Sequence, residues 1–174
     1  MTIQALQSIG LCAHYSPQGD WAFDFAFRFA RERNLQFNIF HFLADPFDPQ
    51  DHPPQGATKA ELDTLIVERE RKLRFYYDAR LGDHLKAGFR VCEHNEWTEL
   101  HQCLLRREFQ LLVIPCPARS ATFGKRRIED FVAGFVSPIV LVGPDSPDQI
   151  RLNTPAALIN KTYDLMIEPH LIEG

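Results

Sequence analysis

The chain has 174 residues, of which 45% are hydrophobic and 24% are charged, a usual globular composition that argues against disorder as the main state. Its formal net charge of −4 argues against a general nucleic-acid binder, since such proteins are usually strongly basic. The longest apolar stretch, residues 131–144, is interrupted by glycine, serine and proline and is too short to span a membrane.

The first half of the chain alternates short apolar runs with helical patterns. Residues 8–15 and 35–44 are predicted strands. Between them, residues 20–34 are a predicted helix with Asp20 as its N-cap. Aromatic side chains form two stripes on this helix, so we expect it to be buried over much of its circumference.

A proline-rich segment and a long charged helix follow. Residues 45–56 contain four prolines and three aspartates, which predicts a long surface loop because proline is excluded from helix interiors and central strands. Residues 58–81 are a predicted helix that ends at Gly82.

The second half continues the alternation, with predicted strands at residues 86–94, 110–116 and 138–143 and predicted helices at residues 96–107 and 124–135. Strand–helix alternation predicts βαβ units and a parallel sheet. The last two strands are continuous apolar runs, which is typical of strands covered on both faces.

The alternation ends at Pro144. We therefore expect one α/β domain over residues 1–144 and a C-terminal tail over residues 145–174 that packs on the domain or on a dimer partner. The N-terminus lacks the basic start and apolar run of a signal peptide, so the expected location is cytoplasmic.

Four cysteines without a CxxC pair are expected to be free thiols in that compartment. Cys116 lies between two prolines, near arginines and a predicted helix start, an environment that would lower a thiol pKa and suit a redox role. The alternative is that Cys116 is a small buried hydrophobic residue.

Three segments at the predicted strands carry a family resemblance. They are residues 13–17 (AHYSP) after the first strand, residues 40–42 (FHF) in the second and residues 137–142 (SPIVLV) in the last. In order and spacing they are similar to the valine-aspartate-glycine-serine, leucine-histidine-valine and cysteine-proline-valine-leucine-valine segments of the universal stress protein family. The resemblance covers about residues 8–143.

This resemblance implies a three-layer α/β sandwich of the adenine-nucleotide α-hydrolase-like type, with a five-stranded parallel sheet in the order 3-2-1-4-5. It also implies a dimeric stress-response protein that acts as a binding or regulatory module. No nucleophile elbow, Walker loop or zincin motif occurs in the sequence, so we expect no catalytic residue. The histidines lack metal-ligand spacing, so no metal site is expected.

The family's ATP-binding branch has a GxxGx9G loop after the fourth strand, followed by serine or threonine. Here residues 115–124 read PCPARSATFG, which lacks the first two glycine positions and adds prolines without N–H donors. His14 replaces the adenine-contacting aspartate, Tyr15 the following glycine, and Phe42 the valine of the adenine pocket. The sequence thus resembles the non-ATP-binding branch, which predicts impaired ATP binding and no cofactor.

A set of polar residues remains as a candidate ligand site at the switch point of the sheet, where open α/β folds bind ligands. It comprises His14, Tyr15, Ser16, Phe42, Arg119, Ser120, Thr122, Lys125 and Arg126, with Arg127 beside them. The basic turn could bind a phosphate or carboxylate near a helix N-terminus, or it could be a solvated surface turn. The alternative function is an adenine-nucleotide-binding switch, with ATP or another adenine nucleotide on a modified phosphate loop.

The last predicted strand suggests the partner. It comprises Pro138, Ile139, Val140, Leu141 and Val142, and the expected topology places it at the edge of the sheet. An exposed apolar edge is an aggregation hazard unless it is covered. Family members pair this strand across a two-fold axis, so the resemblance implies a homodimer through it. An unidentified protein partner is also possible in this interpretation, whereas nucleic acid and membrane are not expected.

Overall fold

The computed structural model describes residues 7–48, 53–84, 86–92, 109–135, 137–153 and 170–171. The strands are β1 (Ser8–Cys12), β2 (Gln36–Phe42), β3 (Ala87–Cys92), β4 (Leu111–Pro115), β5 (Thr122–Phe123), β6 (Arg126–Arg127), β7 (Ile139–Val142), β8 (Ile150–Leu152) and β9 (His170–Leu171). The helices are α1 (Pro17–Arg33), α2 (Lys59–Leu81) and α3 (Ile128–Ala133). Within these ranges we find no helix with the length and apolar character of a membrane span.

The main sheet has seven strands in the order β3-β2-β1-β4-β7-β8-β9. The first five of these are mutually parallel, which confirms the predicted parallel core and its strand order. Two strands of this sheet were not predicted: β8 runs antiparallel to β7, and β9 runs parallel to β8. Strands β5 and β6 form a separate antiparallel hairpin.

Alternate residues of the core strands face two separate hydrophobic cores. On one face, Leu11 and Ile39 pack in a cluster with residues of α1 and α2. On the other face, Phe40 and Leu141 pack in a cluster with residues of α3. Because both faces of the parallel sheet are covered by helices, the fold is the expected three-layer sandwich.

Helix α1 begins earlier than the sequence predicted. Ser16, not Asp20, is the N-cap, and its Oγ accepts a hydrogen bond from the Gly19 N–H at 3.0 Å. Pro17 occupies the first helical position, where its missing N–H costs nothing. Asp20 lies in the first turn, where it accepts hydrogen bonds from the Tyr76 hydroxyl and from Arg80. Its side chain thus ties α1 to α2.

The helix predicted at residues 124–135 is shorter in the structure. It begins at Ile128, because residues 122–127 form the β5–β6 hairpin and Gly124 adopts a positive φ of 65° in its turn. The long helix predicted at residues 58–81 is confirmed as α2, capped by Thr58. The helix predicted at residues 96–107 lies outside the described residues.

Strand β7 is not an edge strand, and that expectation was wrong. Its residues Ile139, Val140, Leu141 and Val142 have no exposed surface, and Pro138 before them is half-buried. Strand β8 pairs along the edge that was expected to be free, with Val140 opposite Leu152 and Val142 opposite Ile150. Strand β7 is covered because the chain beyond residue 144 turns back and adds β8 to the sheet.

Candidate functional site

The crevice of the fold lies beyond the carboxyl ends of β1 and β4. From β1 the chain continues to β2 on one side, and from β4 to β7 on the other, so the strand order reverses between these two neighbours. Open α/β sheets place ligands at this switch point. The segment after β1 carries His14 and Ser16 to it, and the start of α1 follows directly.

His14 and Ser16 form a close polar pair. Nδ1 of His14 lies 2.7 Å from Oγ of Ser16, while the same Oγ accepts the Gly19 N–H. Burial lowers the pKa of His14, although the carboxylates of Asp45 and Asp48 act in the opposite direction. The imidazole is therefore neutral at pH 7, and the pair serves to cap α1.

Aromatic rings fill the space next to this pair. The Phe47 ring lies 4.8 Å from the His14 ring and 5.1 Å from the Phe123 ring, between ring centroids. The Phe42 ring in turn lies 6.2 Å from that of Phe123. We call His14, Phe42, Phe47 and Phe123 the aromatic plug. Edge-to-face contacts at these distances are favourable, so the plug is a packed cluster.

The proline-rich segment holds the plug in place. Pro46 is buried, and its carbonyl oxygen accepts a hydrogen bond from the Gly124 N–H at 2.9 Å. Asp45 accepts a hydrogen bond from the Phe47 N–H at 2.9 Å, which fixes the turn. Residues 45–48 form no helix or strand, as predicted, but Pro46 is buried and Phe47 half-buried, so this end of the loop packs inward against the β5–β6 hairpin.

Tyr15 lies on the other side of the sheet, next to α2. Its ring contacts Tyr76 at 4.9 Å and Tyr77 at 6.5 Å, and the ammonium group of Lys72 lies 4.5 Å from its centroid. Burial raises the pKa of Tyr15 to about 12. Tyr15 is thus a packing residue between β1 and α2 rather than a member of the plug.

The basic turn is a surface feature. Arg119 forms a two-pronged ion pair with Asp145, with nitrogen–oxygen distances of 3.0 and 3.2 Å. The other candidates in the turn, Ser120, Thr122, Lys125, Arg126 and Arg127, are also exposed. The hairpin residue whose ring reaches the plug is Phe123. The structure therefore brings together His14, Ser16 and Phe42, and leaves the basic side chains at the rim.

The three described cysteines, Cys12, Cys92 and Cys116, are buried free thiols. Burial raises the pKa of the Cys116 thiol, and the nearby Glu129 carboxylate adds to the rise. A redox thiol needs the opposite shift, so the structure favours the buried-hydrophobic interpretation of Cys116. Over the described ranges, no three His, Cys, Asp or Glu side chains are grouped as a metal ion would require.

We expect Cys116 to resist modification in the native protein. Its thiol is fully buried and stays protonated near neutral pH, because its pKa is raised. Peptide mass spectrometry after brief iodoacetamide or mild peroxide treatment should find Cys116 unmodified, and the same treatment in denaturant should modify it. Rapid modification without denaturant would contradict this prediction.

Sequence reasoning missed Phe47 and Phe123. Both belong to segments that look like polar loops, and their partners are distant in the chain. The available signal was a single aromatic residue in each segment, because an apolar side chain in a Pro/Asp-rich loop usually has a buried partner. Without the fold, this signal does not identify the residues against which the ring packs.

The parallel order, the helices on both faces and the crevice beyond β1 and β4 define a doubly wound α/β protein. More particularly, the chain has the fold of the universal stress proteins, as the sequence resemblance implied. A protein of that family from Burkholderia pseudomallei matches with a TM-score of 0.57 and 18% identity, over 80% of this chain and 97% of that one.

Two further solved structures match with lower TM-scores than this one. A universal stress protein from Archaeoglobus fulgidus matches with a TM-score of 0.47 and 13% identity, over 79% of this chain and 93% of that one. A universal stress protein family protein from Arabidopsis thaliana with AMP bound has a TM-score of 0.47 and 10% identity, over 81% of this chain and 97% of that one. No protein-family model matches the sequence, and no curated protein matches it.

Proposed function

We propose that the chain is a universal-stress-type stress-response protein that acts in the cytoplasm as a non-catalytic binding or regulatory module with impaired ATP binding. The observation that carries this proposal is the aromatic plug. It occupies the switch-point crevice, the position where folds of this type receive a nucleotide.

Two physical effects oppose nucleotide binding. The first is space, because a purine in the crevice would have to displace the Phe47 ring. Phe47 is half-buried, so exposing it costs about half of the roughly 1.5–3 kcal/mol of a fully buried Phe side chain, which weakens binding by about 4- to 12-fold. The second effect is the loss of hydrogen-bond donors. Pro115 at the end of β4 and Pro117 in the loop after it provide no N–H groups, where a phosphate cradle would need them.

Calorimetric titration of ATP with magnesium tests the proposal. The wild-type protein should give no binding heat, because the plug fills the crevice. Phe47→Ala removes the central ring and should show measurable, weak binding if space is the main obstacle. Phe89→Ala is the matched control, since it truncates another half-buried phenylalanine on β3, away from the crevice. Near-stoichiometric nucleotide in the purified wild-type protein would overturn the proposal.

The second candidate function is an adenine-nucleotide-binding switch. The observation in its favour is that Lys125 and Arg126 are exposed on the hairpin that carries Phe123 into the plug. If Phe47 moved out on binding, these cations would be positioned near the phosphates. Saturable ATP binding by the wild type that is lost in the Lys125→Ala/Arg126→Ala variant would establish the switch in place of the first proposal.

The proposal includes a homodimer, and the structure changes where its surface should be sought. In the family, the resemblance implies pairing through the strand that corresponds to β7. Here β8 already forms the hydrogen bonds along that edge. A second copy of the chain therefore needs another surface, unless β8 is first released from the sheet.

A further inference from the structure

The outer face of α2 carries exposed apolar side chains. Phe75 is 88% exposed and Val67 is 54% exposed, and these are the exposed large hydrophobic residues among the described residues. They lie eight residues apart on one side of the helix, with Arg71 midway between them. The opposite side of the helix packs into the core through Leu73, Tyr77 and Leu81, so the outer face is free of the fold's own core.

Charged residues flank Phe75 in a self-complementary pattern. Arg71 lies four residues before Phe75 and Asp78 three residues after it, and both side chains are exposed. The other arginines of this half of the helix are engaged within the chain, Arg74 with Glu70 and Arg80 with Asp20. Along the helix, this face therefore presents a cation (Arg71), an aromatic ring (Phe75) and an anion (Asp78) in that order.

We infer that this stripe (Arg71, Phe75 and Asp78) is the surface through which two copies of the chain associate. When two α2 helices cross antiparallel about a two-fold axis beside Phe75, the two Phe75 rings meet at the axis. Arg71 then lies opposite the partner's Asp78, and symmetry repeats this ion pair on the other side. An unrelated partner would have to supply the complementary charges, whereas a second copy of this chain already carries them.

This inference rests on the proposed homodimer and assigns it a surface. It is independent of nucleotide binding, because sedimentation measures dimer formation and calorimetric titration measures ATP binding. A contact between one pair of helices is at the small end of specific interfaces. We therefore expect a weak, concentration-dependent dimer in which Phe75 at the centre contributes most of the binding free energy.

Sedimentation of the full chain over a range of concentrations tests the inference. The wild type should show a monomer–dimer equilibrium, and Phe75→Ser should weaken it by at least about tenfold. Arg71→Asp and Asp78→Arg should each weaken it, because each places like charges opposite one another. The combined Arg71→Asp/Asp78→Arg variant should restore the dimer, since the ion pairs form again with exchanged signs.

Arg31→Asp is the matched control, because it makes the same charge reversal at an exposed position on α1. It should leave the equilibrium unchanged. A wild type that remains monomeric at every concentration overturns the inference, as does a dimer that Phe75→Ser leaves intact. If the combined variant does not recover the dimer, the antiparallel arrangement is wrong, and this result also overturns the inference. Circular dichroism should show that all these surface variants remain folded.

Discussion

Gly19→Ala is expected to lower the midpoint of thermal unfolding by about 6–12 °C. A Cβ atom on residue 19 would overlap the carbonyl oxygen of His14, which is a backbone atom that no side-chain rotation can move. Overpacking of this kind costs about 3 kcal/mol, and in a chain of this size each kcal/mol corresponds to about 2–4 °C. Calorimetry or circular dichroism melting measures the shift.

Gly134→Ala provides the control. There the nearest atom to an added Cβ, the Asp130 carbonyl oxygen, is 3.5 Å away, which is an ordinary contact. Gly134 has a helical backbone conformation that alanine adopts without strain, so this variant should melt at, or up to about 4 °C above, the wild-type temperature. Equal melting temperatures of Gly19→Ala and Gly134→Ala would show that the backbone at the start of α1 can shift to accommodate the Cβ atom without loss of stability. It would also contradict the rigid placement of His14 within the aromatic plug.

Asn153→Ala is expected to destabilise the fold by about 2–3 kcal/mol, although only one side chain is shortened. The two N–H groups of the Asn153 amide face three carbonyl oxygens, those of Val132, Phe135 and Ser137, at nitrogen–oxygen distances of 2.9–3.1 Å, so one N–H is shared between two acceptors. Its oxygen accepts the Ile139 N–H at 2.8 Å. The truncation removes the side-chain partner of the Phe135 and Ser137 carbonyls and of the Ile139 N–H where α3 ends and β7 begins, whereas the Val132 carbonyl keeps the Phe135 N–H. Urea denaturation measures the loss.

Asn153→Asp tests the hydrogen bonds separately from packing, because it keeps the side-chain volume but replaces the N–H donors with a carboxylate oxygen. Its carboxylate would face three carbonyl oxygens, which raise the pKa of the introduced carboxyl group in the folded state above its usual value near 4. Because the folded state then binds the proton more tightly than the unfolded state, the variant should gain stability relative to wild type as the pH falls from 7 towards about 4. A pH-independent difference would contradict this account.

Gln149→Ala is the matched control for both variants. Gln149 lies four residues before Asn153, and its side chain accepts a single exposed hydrogen bond, from the Asp145 N–H. Losing that bond should cost about 0.5 kcal/mol or less, because water replaces it. Comparable losses in Gln149→Ala and Asn153→Ala would mean that Asn153 acts only through the general packing of its segment.

The core of the fold was predictable because it depends on local patterns. Apolar runs locate β4 and β7 within a residue or two of their ends, and the cap at Thr58 marks the start of α2. The start of α1 was misplaced because Asp20 and Ser16 are both good N-cap residues. The choice between them depends on Tyr76 and Arg80, which hold Asp20 from across the fold.

The crevice was only half predictable. The sequence indicated correctly that Phe42 is bulky and buried near the switch point, and that the glycine loop is missing. It did not indicate Phe47, whose position depends on a backbone hydrogen bond between Pro46 and Gly124, 78 residues away in the chain. Tyr15 and His14 were both predicted to line the ligand site, but their side chains, which follow β1, lie on opposite faces of the sheet.

Strand β8 has a consequence for how the protein is made. A ribosome releases β7 before β8, so the growing chain passes through a stage in which its parallel core is complete and one apolar edge is bare. The edge is covered once β8 has followed β7 out of the ribosome's exit tunnel, within about two seconds at ordinary rates of 5–20 residues per second.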